Sequence, residues 1–144
     1  MPLLRSLITV LGACLYILVA GAIFVPYAMI TRNDALMFQV GITGVRFAAW
    51  LAGVQAGLER LERIRPEATY VYMCNHVSNV DVLVIAYLPR AAGLAKYGLF
   101  KIPFLGQALR ISGFIPVVRG TSRAAAAVDA GVAALRGGRS LLVF

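Results

Sequence analysis

From Ser6 to Thr31 the chain carries no charged residue across 26 positions, and Leu7, Ile8, Leu15, Ile17, Leu18, Ile23, Phe24 and Ile30 lie within that run. As a helix it would reach about 39 Å, more than the roughly 30 Å of a bilayer's hydrocarbon core. It is therefore expected to be membrane-embedded. A cleaved signal peptide is the competing reading, but the run outlasts the apolar region of such peptides, about 7 to 15 residues, and no clear small-x-small site ends it. Composition points the same way: 60% of the 144 residues are hydrophobic and 14% charged, with a mean hydropathy of +0.82. Soluble domains average about 25% charged residues, so a wholly soluble or disordered chain is excluded.

The second apolar stretch, Ala35 to Leu58, has Arg46 at its middle and is rich in Gly and Ala. A central Arg costs about 2.5 to 3.5 kcal/mol on insertion scales, enough to cancel several leucines. An interfacial or re-entrant helix is expected rather than a full crossing, with Arg46 reaching the headgroups and Trp50 at the boundary. Only Arg5 precedes the first apolar run, whereas Arg32, Arg46, Arg60, Arg63 and Arg65 follow it. That asymmetry predicts a cell (inner) membrane protein with its C-terminal part on the cytoplasmic face.

The formal charge of +8 comes from 12 Arg and 2 Lys against 6 acidic residues. Guanidinium forks suit phosphate, so anionic lipid headgroups or a phosphorylated substrate are the expected partners. Nucleic acid is disfavoured, because the arginines are scattered rather than gathered in a basic run. Cys14 and Cys74 offer no disulfide framework, and a single histidine cannot supply a typical zinc set, so no metal or bound organic cofactor is expected.

The charged junction 59–68, which contains Glu59 to Pro66 (ERLERIRP), divides membrane-associated helices over 1–58 from a region 69–144 of short apolar runs and turn signals. There the pattern predicts strands at Thr69–Cys74, Ala92–Lys96, Phe114–Val118 (broken or edged by Pro116) and Ser140–Phe144. Helices are predicted at Val80–Leu88, Pro103–Ile111 and Ser122–Leu135, the last stopped by Gly137-Gly138. Alternating strands and helices imply an α/β layer arrangement with a partly parallel sheet.

Chemistry concentrates in Asn75-His76-Val77-Ser78-Asn79-Val80-Asp81. The only histidine follows a predicted strand at its carboxyl end, where open α/β sheets place their sites. On a continuous helix His76 and Asp81 would point about 140° apart, so a turn must fold the imidazole back for the carboxylate to reach it. If it does, Asp81 fixes the tautomer and leaves the other nitrogen to take a proton from a hydroxyl. The competing reading is structural: Ser78-Asn79-Val80-Asp81 has capping-box form, with Ser78 an N-cap rather than a nucleophile.

The NHVSNVD segment resembles the Asn-His-x4-Asp signature of the glycerolipid acyltransferases, in particular the 1-acyl-sn-glycerol-3-phosphate acyltransferases. Lys96 to Gly106 (KYGLFKIPFLG) is similar to that family's Lys-x-x-Leu-x-x-x-Pro-x-x-Gly segment, and Gly113 to Arg119 (GFIPVVR) to its Gly-x-Ile-x-Val-x-Arg block. The three blocks stand in family order after an apolar N-terminus and cover about residues 70 to 144. The resemblance implies that His76 deprotonates the sn-2 hydroxyl of lysophosphatidate, which attacks the thioester of acyl-CoA or acyl-carrier protein, while Asp81 holds and polarises His76. It implies a phosphate-binding role for Arg119 and substrate-binding roles for Asn75, Gly113 and Lys96, Lys96 and Lys101 being the weaker candidates for phosphate or headgroup contact, with solvated surface charge as the competing reading for both.

The chain departs from the family pattern after its last strand. Ser140 to Phe144 (SLLVF) resembles the strand leading to a Glu-Gly-Thr-Arg block, which does not follow, and Gly120-Thr121-Ser122-Arg123 lacks the Glu. The expectation is an N-terminal fragment of an acyltransferase, inactive on its own, with Leu141, Leu142 and Val143 forming an exposed apolar edge. A related acyltransferase using another lyso-lipid acceptor, and a noncatalytic membrane-anchored module, remain open as alternatives.

Overall fold

The computed structural model describes residues 2–57, 59, 61–65, 67–75, 79–88, 91–118, 120 and 123–143. The first apolar run folds as helix α1 (Pro2–Thr31) and the second as α2 (Asp34–Ala52). Arg32 turns the chain with φ 52°, and Asn33 caps α2 by accepting from the Leu36 N–H at 2.9 Å. Asp34 then lies in the first turn, where a negative charge complements the helix dipole. Gly53 ends α2 at φ 66°, the left-handed conformation helix ends favour. By length and composition both helices are long and apolar enough to cross a membrane.

The short turn makes α1 and α2 an antiparallel hairpin. Its open end is joined by Arg5 Nε donating to the Leu51 carbonyl at 3.2 Å, its middle by Tyr16 Oη donating to the Val40 carbonyl at 2.7 Å. Near the turn, Val25, Ala28 and Met37 are buried against Ala108 and Ile111. The outer side of α1 stays apolar and exposed, with Leu7, Leu11, Leu15, Leu18 and Ile23 all open.

Among the described residues the rest is built on a four-stranded parallel sheet of order β1-β4-β2-β3, with β1 Val71–Met73, β2 Ala91–Lys96, β3 Ile115–Val117 and β4 Ser140–Val143. Helix α3 (Leu105–Ile111) joins β2 to β3, and α4 (Arg123–Arg136) joins β3 to β4. On one face α4 buries Ala127 against Ala92, Ile115 and Leu141. On the other, Phe38 and Ile42 of α2 meet Ile85, Ala86 and Leu142. The hairpin is thus a layer of the α/β unit, not an appendage to it.

Three expectations change. The Ser140–Phe144 strand is not an apolar edge. Parallel crossovers insert β4 between β1 and β2, and Leu141 and Leu142 are 4% and 1% exposed. Arg46 is anchored within the fold, its Nη2 donating to the Ala86 carbonyl at 2.7 Å and its guanidinium 5.8 Å from the Tyr87 ring centroid. Trp50 is 71% exposed. The helix expected at 80–88 is a 3₁₀ segment, Asn79–Ala86, and short 3₁₀ segments also form at Leu61–Arg63 and, after β2, at Tyr97–Lys101, where no element was expected. Finally, β1 starts at Val71 rather than Thr69, because the Tyr70 N–H is taken by Ser140 Oγ at 3.0 Å instead of a neighbouring main chain. Pro116 sits where expected, on the outermost strand, β3.

Candidate active site

Because all four strands run the same way, their carboxyl ends share one edge of the sheet, the edge where open α/β sheets hold ligands. The main chain of β1 is held one residue past its end by Cys74 N–H donating to the Val143 carbonyl at 3.1 Å. Asn75 follows, exposed. His76 and Ser78 lie outside the described residues. Asp81 stands in the first turn of the 3₁₀ segment that leaves this edge, half-buried.

On the far side of the sheet β2 ends at Lys96, exposed and in register with Val117 of β3. Val118 is half-buried, and Arg119, the next residue, lies outside the described residues. β1 and β3 are the outer strands, so their ends stand three strand spacings apart, about 14 Å. The connections from β1 and β2 pack on the α2 side of the sheet, whereas α4, which leaves β3, packs on the other. The direction of winding therefore reverses between β2 and β3, and such a reversal opens a crevice at the carboxyl ends. Lys96 stands at that crevice, beside the strand that leads to Arg119.

The structure thus brings Asn75, Asp81 and Lys96 to one edge and sets Gly113 apart from them. Gly113 precedes β3, at the amino end of the strands, with φ 80°. A Cβ there would collide with the Arg139 guanidinium, whose Nη1 donates to the Ser112 carbonyl at 3.4 Å. Glycine at 113 is explained by a left-handed turn and the room Arg139 needs. Lys101 is exposed, its ammonium 5.4 Å from the Tyr97 ring centroid. Gly106 has a packing reason of its own, since any side chain there would strike the Phe100 carbonyl.

Beneath the β1 end, burial pushes the Tyr72 phenol up, Tyr70 adds to that, and the Ser140 hydroxyl opposes it. Among the described residues, no three or more His, Cys, Asp or Glu side chains gather in a way that would hold a metal ion. The sequence reading missed Arg139, which ties three segments together. No local signal marks it, because its carboxylate partner, Asp34, is 105 positions away.

Residues 56–144 match the protein family described as Acyltransferase. A curated protein of Borreliella burgdorferi strain B31, a 1-acyl-sn-glycerol-3-phosphate acyltransferase, is 32% identical over 103 residues, which cover 69% of this chain and 41% of that protein. The chain thus spans about two-fifths of the length of the curated relative it matches. No solved structure matches it.

Proposed function

This chain belongs to the acyltransferase family, and from that premise we propose that it serves acyl transfer from acyl-CoA or acyl-carrier protein to the sn-2 hydroxyl of 1-acyl-sn-glycerol 3-phosphate, giving phosphatidate for phospholipid synthesis. The observation that carries this reading is the placement of Asn75 just past the carboxyl end of β1 and of Asp81 in the first turn of the 3₁₀ segment Asn79–Ala86, with Lys96 ending β2 at the same edge of the sheet. The name of the bacterial relative supports the acceptor.

In this reading the imidazole of His76 takes the proton of the sn-2 hydroxyl as that oxygen attacks the thioester carbonyl. The tetrahedral intermediate collapses by breaking the C–S bond, and the departing thiolate takes the proton back from His76. Asp81 orients the ring. Arg119 and Lys96 hold the acceptor phosphate across the sheet edge, with Asn75 beside the hydroxyl. Gly113 is left out of the set because it lies at the other end of β3.

We place the protein at the inner membrane with the α/β unit on the cytoplasmic face. The turn of the hairpin is bound to the α/β unit by Asp34 and Arg139. From its open end the chain returns to β1 through residues 53–70, which include Glu59, Glu62, Arg63, Arg65 and Glu67. A connection so charged does not cross hydrocarbon, so both ends of the hairpin belong on one side and its exposed apolar face enters a single leaflet.

The test is an acceptor panel with the detergent-solubilised full-length gene product and acyl thioester. Phosphatidate formed from lysophosphatidate is the expected product. Acylation of another lyso-lipid in its place would overturn the acceptor assignment.

A further inference from the structure

We propose that the cleft between α2 and the end of the 79–86 segment binds a phosphate group, carried by an anionic lipid headgroup and held by Arg46. This rests on the hairpin facing lipid and not on the acyl-transfer reading, since the cleft's residues end up where the strands begin.

Arg46 is the only charged residue between Ala35 and Leu58. An unpaired cation in an apolar helix is costly at a lipid surface, which favours a counter-charge. Among the described residues no carboxylate pairs with it. One of its five N–H groups goes to the Ala86 carbonyl, and the Tyr87 ring lies alongside the guanidinium. These two contacts hold the fork in place without using up its donors, the pre-organisation that makes arginine an effective phosphate ligand.

The space next to it fits. A cleft of about 330 Å³ is lined mostly by polar atoms and bounded by Gln39, Arg46 and Tyr87, with Phe38 and Leu88 as an apolar wall. Gln39 precedes Arg46 by seven residues, two helical turns and about 10.5 Å along the same side of α2. Its amide adds donors at the other end of the cleft, suiting the phosphodiester and glycerol hydroxyls of a headgroup whose chains lie against Phe38 and Leu88. A zwitterionic headgroup would bring its own cation toward Arg46 and is disfavoured.

The test is thermal unfolding of the full chain in non-ionic detergent with dihexanoyl-phosphatidylglycerol, dihexanoyl-phosphatidylcholine or inorganic phosphate added. A ligand of the folded state raises Tm by mass action. The phosphatidylglycerol shift should appear at a concentration at least about fivefold below that needed for phosphatidylcholine, and should shrink with added salt. Arg46→Gln should lose it. Because that change also removes the Ala86 hydrogen bond, Gln39→Glu is the second variant: it sets a carboxylate in the cleft without touching that bond and should likewise abolish the shift. Equal shifts from both lipids, or a shift that survives in both variants, would overturn the site. An equal effect of inorganic phosphate, lost in Gln39→Glu, would replace the lipid headgroup by the free ion.

Discussion

Arg139 donates through Nη2 to the Asp34 carboxylate at 2.9 Å, joining the start of α2 to the residue that precedes the central strand β4. The same guanidinium reaches the Ser112 carbonyl, so one side chain ties the hairpin turn, the α3–β3 turn and the α4–β4 turn together. Both partners are about one-third exposed, which limits the pair itself to about 0.5 to 1 kcal/mol. A double-mutant cycle of Asp34→Asn and Arg139→Gln, read by denaturant unfolding in detergent, should return a coupling in that range. Zero coupling would mean that the pair adds nothing to the hold of the hairpin, which then rests on its apolar contacts and the Arg46–Ala86 hydrogen bond.

Leu142 should be the costliest aliphatic truncation in the sheet. It is 1% exposed, on a strand paired on both sides, and packs with Phe38, Ile42 and Ile85. Leu142→Ala should destabilise by about 2 to 5 kcal/mol, the range for buried leucines. A loss below about 1 kcal/mol in the same unfolding experiment would contradict the central placement of β4.

The hairpin depends on a polar contact within an apolar interface. Tyr16 donates to the Val40 carbonyl at 2.7 Å, and its ring occupies the space a Cβ at Gly44 would need. Tyr16→Phe should cost about 1 kcal/mol, whereas Gly44→Val should separate the helices and cost more. Disulfide crosslinking between cysteines placed on α1 and α2 would show the difference, with Tyr16→Phe still crosslinking and Gly44→Val not.

Tyr72 makes the fold sensitive to alkali. Burial, with Tyr70 beside it, raises its phenol above the ordinary 10.0, Ser140 opposing. A group whose pKa is raised on folding contributes stability that is complete below the unfolded value and is lost as pH rises through the folded one. Unfolding measured from neutrality upward should therefore show a loss of stability beginning near pH 10, and Tyr72→Phe should flatten it. An unchanged alkaline limb in the variant would assign the loss to other groups.

What was legible in the sequence is what depends on neighbours along the chain. The charge-free run marks α1, the Gly137-Gly138 pair ends α4, and Pro116 marks an edge strand, because each works through local backbone rules. The partners of Arg46 and Arg139 were not legible, since Ala86 and Asp34 lie 40 and 105 positions away. The place of β4 was missed for the same reason: an alternating pattern predicts a parallel sheet but not which strand a crossover inserts in its middle. At the candidate site, the strand pattern set Asn75 after β1 and Lys96 at the end of β2. It said nothing of why Gly113 is a glycine, which takes the position of Arg139 to explain.

The central claim is general-base chemistry on the segment that leaves β1, and it is tested most directly by turnover of lysophosphatidate and acyl thioester by the full-length gene product with His76→Ala. The account predicts that phosphatidate formation falls by about 10² to 10⁴-fold while the protein unfolds at the wild-type denaturant concentration. Turnover within a few-fold of wild type in a folded His76→Ala protein would contradict it.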